Sequence, residues 1–222
     1  IGIPRVLNMY ENYPFWQSLF SNCGFQVVLS DESSHQLYKK GIGALMSDNI
    51  CFPAKLSHGH IVNLIEKKVN RIFLPFVVYE KNEYEKSSNS YNCPIVTGYS
   101  EVLKNTTFLA GSVDIPFDSP AISFDNINLL RKACWNYCKK LEVGSAIFNK
   151  AFKAAIIAQD EFKAQIKLKN TEILTDAIKN NKLVVLVASH PYHIDHLIHQ
   201  QVSQILSDLG VSVINEDIAF GY

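Results

Sequence analysis

Lys182-Leu-Val-Val-Leu-Val-Ala188, followed by Asp195 to Leu209 and then Gly210-Val-Ser-Val-Ile214, is the stretch that decides the fold. An unbroken short apolar run bounded by polar residues reads as a strand covered on both faces. Asp195 is placed to cap a helix that runs to Leu209, and Gly210 closes it before a second apolar strand. The same plan recurs near the start of the chain. Arg5-Val-Leu-Asn8 reads as a short strand, Tyr13 to Asn22 has helical periodicity, and Gly24 ends that helix before Phe25-Gln-Val-Val-Leu29. Each unit carries a proline turn (Pro4 or Pro191), an aromatic residue at the helix start and an acidic end (Asp31-Glu32 or Glu216-Asp217). Two copies of this plan are two related α/β units rather than a solenoid.

Between them, Arg71-Ile-Phe-Leu-Pro-Phe-Val-Val78 and Pro94-Ile-Val-Thr97 read as strands, and Tyr99 to Lys104 as the start of a helix. The polar, serine-rich Tyr84–Tyr91 stretch reads as a mobile loop. Ile127 to Leu141 is a strong helix pattern. Ala146 to Asn180 lacks proline and glycine, so it forms one long helix or two joined ones. Strands alternating with helices imply an α/β fold with parallel-sheet, Rossmann-like units. The expected division is a first α/β unit over 1–119, a helical connector over 120–181 and a second, incomplete α/β unit over 182–222. Ligands of such sheets sit at the carboxyl ends of the strands, where Cys51, Pro94 and Pro191 fall in this layout.

With 222 residues, 47% of them hydrophobic, the chain can bury a sizeable core. Lysine plus arginine equals aspartate plus glutamate at 21 each, which argues against nucleic acid or an anionic membrane surface as the main partner. No apolar run approaches membrane-spanning length. Five scattered cysteines do not form a secreted disulfide framework, so the expected location is cytoplasmic. The chain starts at Ile1 and ends in Ala219-Phe-Gly-Tyr222 with no closing element, and the expectation is a domain fragment of a longer protein.

For chemistry, the richest window is Cys51-Phe-Pro-Ala-Lys-Leu-Ser-His-Gly-His60. It sets a thiol at a helix start, with Pro53 in the first turn, where the positive end of the helix favours a thiolate. Cys93, in Ser90-Tyr-Asn-Cys-Pro94, stands at a second junction, and two thiols from separate loops could converge on one cluster. Cys134 and Cys138, four apart on one helix face beside Leu130, read as core. His190, His193, His196 and His199 recur every third residue; Pro191 keeps them off a single helix face, so a zinc site is the less economical reading beside a histidine-lined ligand cleft. No phosphate-binding loop, dinucleotide fingerprint or nucleophile elbow is present, so no nucleotide site is expected in this chain.

Ile1-Gly-Ile-Pro-Arg-Val-Leu-Asn-Met-Tyr-Glu-Asn-Tyr-Pro-Phe-Trp16, Ser47-Asp-Asn-Ile-Cys-Phe-Pro-Ala-Lys-Leu-Ser-His-Gly-His60, Asn92-Cys-Pro-Ile-Val96 and Pro191-Tyr-His-Ile-Asp195 together resemble the acyl-CoA dehydratase activase-related proteins, also described as CoA-substrate-specific enzyme activases. The resemblance implies a domain similar to the cluster-bearing subunits of 2-hydroxyacyl-CoA dehydratases. It implies a 4Fe-4S cluster and, as partners, an actin-like ATPase activator on the same or another chain and an acyl-CoA dehydratase. By that likeness Cys51 and Cys93 are the metal ligands, with Lys55, His58, His60, Pro94, His190, Tyr192, His193 and Asp195 around the pocket. Two departures stand out. Leu74-Pro-Phe76 occupies the place where a third cysteine is expected, and Ser189-His190 replaces an expected Gly-Arg pair. Two functions follow as expectations: a redox accessory domain that carries or docks the cluster, or a non-catalytic interaction module with structural cysteines.

Overall fold

The computed structural model describes residues 1–82, 89–106 and 115–219. Its first strand, β1 (Gly2–Ile3), lies upstream of the expected Arg5–Asn8 strand. Pro4 ends the ladder, and the chain turns through a Val6 N–H bond to the Pro4 carbonyl and a left-handed Leu7 (φ 48°) into helix α1 (Met9–Asn22). Strand β2 (Val28–Leu29), helix α2 (His35–Gly41) and helix α3 (Phe52–Glu66) follow. Next come β3 (Ile72–Phe73), β4 (Phe76–Val77), α4 (Pro94–Thr106), β5 (Phe117–Asp118) and β6 (Ala121–Ile122). Pro94-Ile-Val-Thr97, expected as a strand, is instead the first turn of α4, consistent with a proline's fixed φ suiting a helix start. The serine-rich stretch expected as a loop falls mostly on 83–88, outside the described residues.

The four-stranded sheet runs β2-β1-β3-β5, all parallel. β4 and β6 prolong β3 and β5 in the same register: Leu74 N–H bonds the Asp118 carbonyl at 3.0 Å and Phe76 N–H the Pro120 carbonyl at 2.9 Å. The ladder is interrupted because Pro120 has no N–H to offer the Leu74 carbonyl. Chain order and right-handed crossovers place α1 on one face of this sheet and α3 and α4 on the other, and α3 packs against α4.

Under α1 the core is aromatic. Trp16 lies 4.6 Å from Phe73 and 4.9 Å from Phe15, and Phe20 lies 4.8 Å from Phe73, ring centre to ring centre. Helices α5 (Ile127–Lys140) and α6 (Ser145–Lys179) close this face, α6 being one unbroken helix. Pro14 opens the α1 ladder, and Gln159 of α6 fills the gap. Its amide oxygen accepts from Phe15 N–H at 3.1 Å and its amide nitrogen donates to the Glu11 carbonyl at 2.8 Å.

The far end of α6 supports the second unit, in which β7 (Val184–Val187) pairs in parallel with β8 (Ser212–Asn215). Asn170 of α6 accepts from Asn215 N–H at 3.1 Å. The helix expected from Asp195 to Leu209 is shorter here: a 3₁₀ turn covers Pro191–Ile194 and helix α7 spans only Val202–Asp208. Asp195 therefore does not cap the helix, whose N-cap is Gln201; its Oδ1 instead closes an Asx turn, accepting from Leu197 N–H at 2.9 Å and Ile198 N–H at 3.3 Å. Among the described residues no helix is long and apolar enough to cross a membrane.

Candidate functional site

Helices that follow parallel strands start at the carboxyl end of the sheet, so α3 and α4 present their first turns at one edge of the fold. Each is capped by a cysteine. Cys51 is the N-cap of α3, exposed, with no side-chain capping bond. Cys93 precedes α4, half-buried, and its Sγ accepts from Val96 N–H at 3.3 Å. About two turns into each helix, His58 Nε2 meets the Tyr99 hydroxyl at 2.9 Å. That buried bond ties α3 to α4. Tyr192 comes from the 3₁₀ turn of the second unit. Burial raises its hydroxyl above the usual phenol range, and negative charge at Cys93 and Cys51 adds to the shift. Tyr99 is raised in the same way, by burial and then by Cys51.

Behind the caps lies a buried polar chain. Ser33 Oγ donates to Asp195 Oδ2, and the Tyr10 hydroxyl donates to the same oxygen at 2.6 Å. With its one proton committed to a carboxylate, Ser33 must accept from His60 Nε2, 3.0 Å away. His60 is therefore the Nε2–H tautomer, and its bare Nδ1 accepts from Ser30 Oγ at 2.8 Å. Ser30 Oγ in turn accepts from Arg5 N–H at 2.8 Å. Every link has a consistent donor, so the turn after β1, the end of β2, α3 and the Asp195 segment form one directed network. Burial drives His60 down to about 4, against a smaller opposing pull from Asp195, and burial likewise holds His58 at about 4. Both imidazoles are neutral at pH 7. Burial works to raise Asp195, but bonds from Ser33, Tyr10 and the Leu197 and Ile198 N–H groups outweigh it and keep the carboxylate ionised below its ordinary range.

Glu80, just past β4, is a site residue that the sequence does not flag. Its Oε2 accepts from Asn12 Nδ2 at 2.9 Å and its Oε1 from Asn92 Nδ2 at 2.8 Å. Burial, then the neighbouring Glu11 carboxylate, push it up to about 7, with the two asparagines and Lys163 opposing. Through Asn92, which also donates to the Val77 carbonyl at 3.2 Å, this carboxyl fixes the turn that carries Cys93. A polar residue immediately beyond a strand is the one sequence signal that could have marked it.

A cleft of about 510 Å³ opens beside the α3 cap, bordered by His35, Phe52, Pro53, His193, His196 and Gln201. Of the pocket expected from sequence, His193 lines this cleft. Tyr192 lies by the two cysteines, and His190 stacks on Tyr192 with ring centres 5.2 Å apart. Lys55 is half-buried on α3 and Pro94 is exposed at the start of α4, whereas His58, His60 and Asp195 are buried behind the caps. Cys134 and Cys138 are core, at 1% and 0% exposure. Among the described residues no group of three or more histidine, cysteine, aspartate or glutamate side chains is arranged to hold a metal ion.

One comparison with known proteins is informative. A family model described as the CoA enzyme activase uncharacterised domain matches residues 1–219. No curated protein and no solved structure matches the chain.

Proposed function

Because this chain belongs to the family described as the CoA enzyme activase uncharacterised domain, we propose that it is a redox accessory domain that docks a 4Fe-4S cluster beside an actin-like ATPase activator. Its task is ATP-driven electron transfer to an enzyme of the 2-hydroxyacyl-CoA dehydratase type. The observation that supports this reading is that Cys51 and Cys93 stand at the starts of α3 and α4, two helices tied to each other by the His58–Tyr99 bond. Thiolates are the ligands that iron–sulfur clusters take, and helix starts favour the negative charge such a site accumulates.

The donor set fits such a group in part. Cys51 and Cys93 would hold two positions, and the others would be supplied from outside this chain, which favours docking over independent binding. When bound, the cluster supplies one-electron chemistry at low potential. This chain's own residues set the stage for it. The His58–Tyr99 bond ties the two helices together, the Glu80–Asn92 contact orients the Cys93 turn, and Tyr192, its hydroxyl raised by burial and then by charge at the two sulfurs, keeps its proton. The neighbouring cleft gives a partner's side chain or a CoA-linked substrate access to the α3 cap.

The test is anaerobic iron–sulfide reconstitution of the whole chain, read as iron and sulfide content and visible absorption against a Cys51→Ser, Cys93→Ser double variant. Stoichiometric iron that the variant fails to hold is the expected result. Equal, trivial iron in both proteins, alone and with an ATPase activator added, would overturn the reading and leave a non-catalytic interaction module.

A further inference from the structure

The stretch that leads into Cys93 is an arm folded back on the end of β4. Glu80 N–H bonds the Ser90 carbonyl at 3.0 Å and Asn92 N–H the Val78 carbonyl at 2.9 Å, so 90–92 runs antiparallel to 78–80 with Tyr79 opposite Tyr91. One carboxyl joins this arm to α1. Glu80 Oε2 accepts from Asn12 Nδ2 at 2.9 Å, and Oε1 accepts from Asn92 Nδ2 at 2.8 Å. Asn12 is fixed, at 3% exposure on a helix whose neighbouring Phe15 and Trp16 are fully buried. Asn92 is half-buried, and its second acceptor, the Val77 carbonyl, lies further off at 3.2 Å.

We propose that Glu80 is a proton-operated latch on the Cys93 turn: as a carboxylate it braces the turn against α1, and on taking up a proton it releases Asn92 and leaves the Cys93 thiol more accessible. The inference does not depend on the function proposed above.

Both Glu80 oxygens meet an N–H, an arrangement that only the carboxylate completes. The neutral acid carries a hydroxyl on one oxygen, and a hydroxyl set against an amide N–H forfeits that bond. The bond given up is the one to Asn92, because Asn12 is held by the core. The backbone pairing of 78–80 with 90–92 is untouched, so the change is confined to the turn between Asn92 and the start of α4, where Cys93 is half-buried. The surroundings favour the proton. Both amide partners are neutral. The charged groups on the elements around Glu80 are Glu11 on α1, Lys163 and Asp160 on α6, and Lys81 beside it in the chain; the titratable groups on the arm are Tyr91 and Cys93. Lys163 bonds Glu11 at 3.2 Å, and Lys81 lies 3.9 Å from Asp160. Burial and then the Glu11 carboxylate raise Glu80 to about 7, which sets the latch to work around neutral pH.

The experiment alkylates the whole chain with N-ethylmaleimide at pH 8 and at pH 6, either side of that value, and follows the Cys93 peptide by mass spectrometry. Wild type is compared with Glu80→Gln, whose amide presents one acceptor and one donor as the neutral acid does. The variant-to-wild-type ratio of rates at each pH removes the pH dependence of alkylation itself. It should be about fivefold at pH 8, where roughly a tenth of Glu80 keeps its proton and the bond lost is worth about tenfold. At pH 6 it should fall close to one. Asn92→Ala separates the latch from the mere charge of Glu80, since it keeps the carboxylate and removes the group that it grips. This variant should alkylate several-fold faster than the wild type at pH 8. Hydrogen exchange of the 89–93 peptide in the wild type alone, corrected for intrinsic rates, should rise from pH 8 to pH 6. A Glu80→Gln ratio that stays constant with pH, an Asn92→Ala protein that alkylates like the wild type, or exchange that does not rise would each overturn the proposal.

Discussion

Acidifying the protein from pH 7 to pH 5 sets its buried groups against one another. His58 and His60 titrate near 4 in the folded state, against an ordinary value of 6.5 in the unfolded chain. The unfolded chain therefore binds those protons first, and stability is lost as pH falls from about 6.5 towards 4. Each tenfold difference in proton affinity between the two states is worth about 1.36 kcal/mol, so each imidazole removes about 2 kcal/mol between pH 7 and pH 5. Glu80 acts in the opposite sense. Its folded value of about 7 lies above the ordinary 4.5, so the native state binds that proton first and gains about 2 kcal/mol over the same interval. Asp195 stays out of this window, since a carboxylate held below 3.8 gives up its contribution only as pH falls through that lower range. The wild-type protein should therefore lose about 2 kcal/mol from pH 7 to pH 5, and Glu80→Gln about 4 kcal/mol, because other groups cancel in the comparison. Urea unfolding across the pH series measures both slopes, and histidine ring-proton titration by NMR locates the two imidazoles. A Glu80→Gln slope equal to that of the wild type, or either histidine titrating above about 6, would refute the reasoning.

Two substitutions test the packing that positions the site. Asp195→Ala leaves the Ser33 and Tyr10 hydroxyls and the Leu197 and Ile198 N–H groups without their acceptor. Equilibrium unfolding should show a loss of about 3 kcal/mol or more, and a change under about 1 kcal/mol would mean that the network contributes little. Gly59→Ala would set its Cβ 2.3 Å from the Leu37 carbonyl oxygen and 2.7 Å from Leu37 Cδ2. Since backbone must move, α2 should lift from α3 at a cost of about 3 kcal/mol, read as a lowered melting temperature, with Gly43→Ala, where nothing lies within 4 Å, as the tolerated control.

Much of the secondary structure was legible because it is locally encoded. The α5 and α6 patterns carry helix formers over long spans, and the observed ends agree with the expected ones to within a residue. Shorter elements were harder. Pro94-Ile-Val-Thr97 has strand-like composition, yet Cys93 and Pro94 begin a helix. In the Asp195–Leu209 span, an Asx turn and left-handed Gln200 and Gln201 divert the chain before α7 begins. The candidate thiols were visible as cysteines at element junctions. Glu80, Tyr99, Tyr10, Ser30 and Ser33 were not, because a single carboxyl, hydroxyl or amide in a loop carries no periodic signal.

The sequence by itself determined an α/β chain with parallel strands, a thiol ahead of α3, and membership of an activase-related family, since these rest on hydrophobic period, capping residues and motif order. Only the tertiary structure decided which side chains share a site. Strand order 2-1-3-5 sends α3 and α4 to one face, where the His58–Tyr99 bond ties them together although they come from distant segments. The close approach of Gly41 and Gly59 seats α2 against α3. With α4 and the sheet on its other sides, α3 takes His58 and His60 out of solvent, which makes two histidines that the sequence placed around a pocket into neutral, hydrogen-bonded struts of the core.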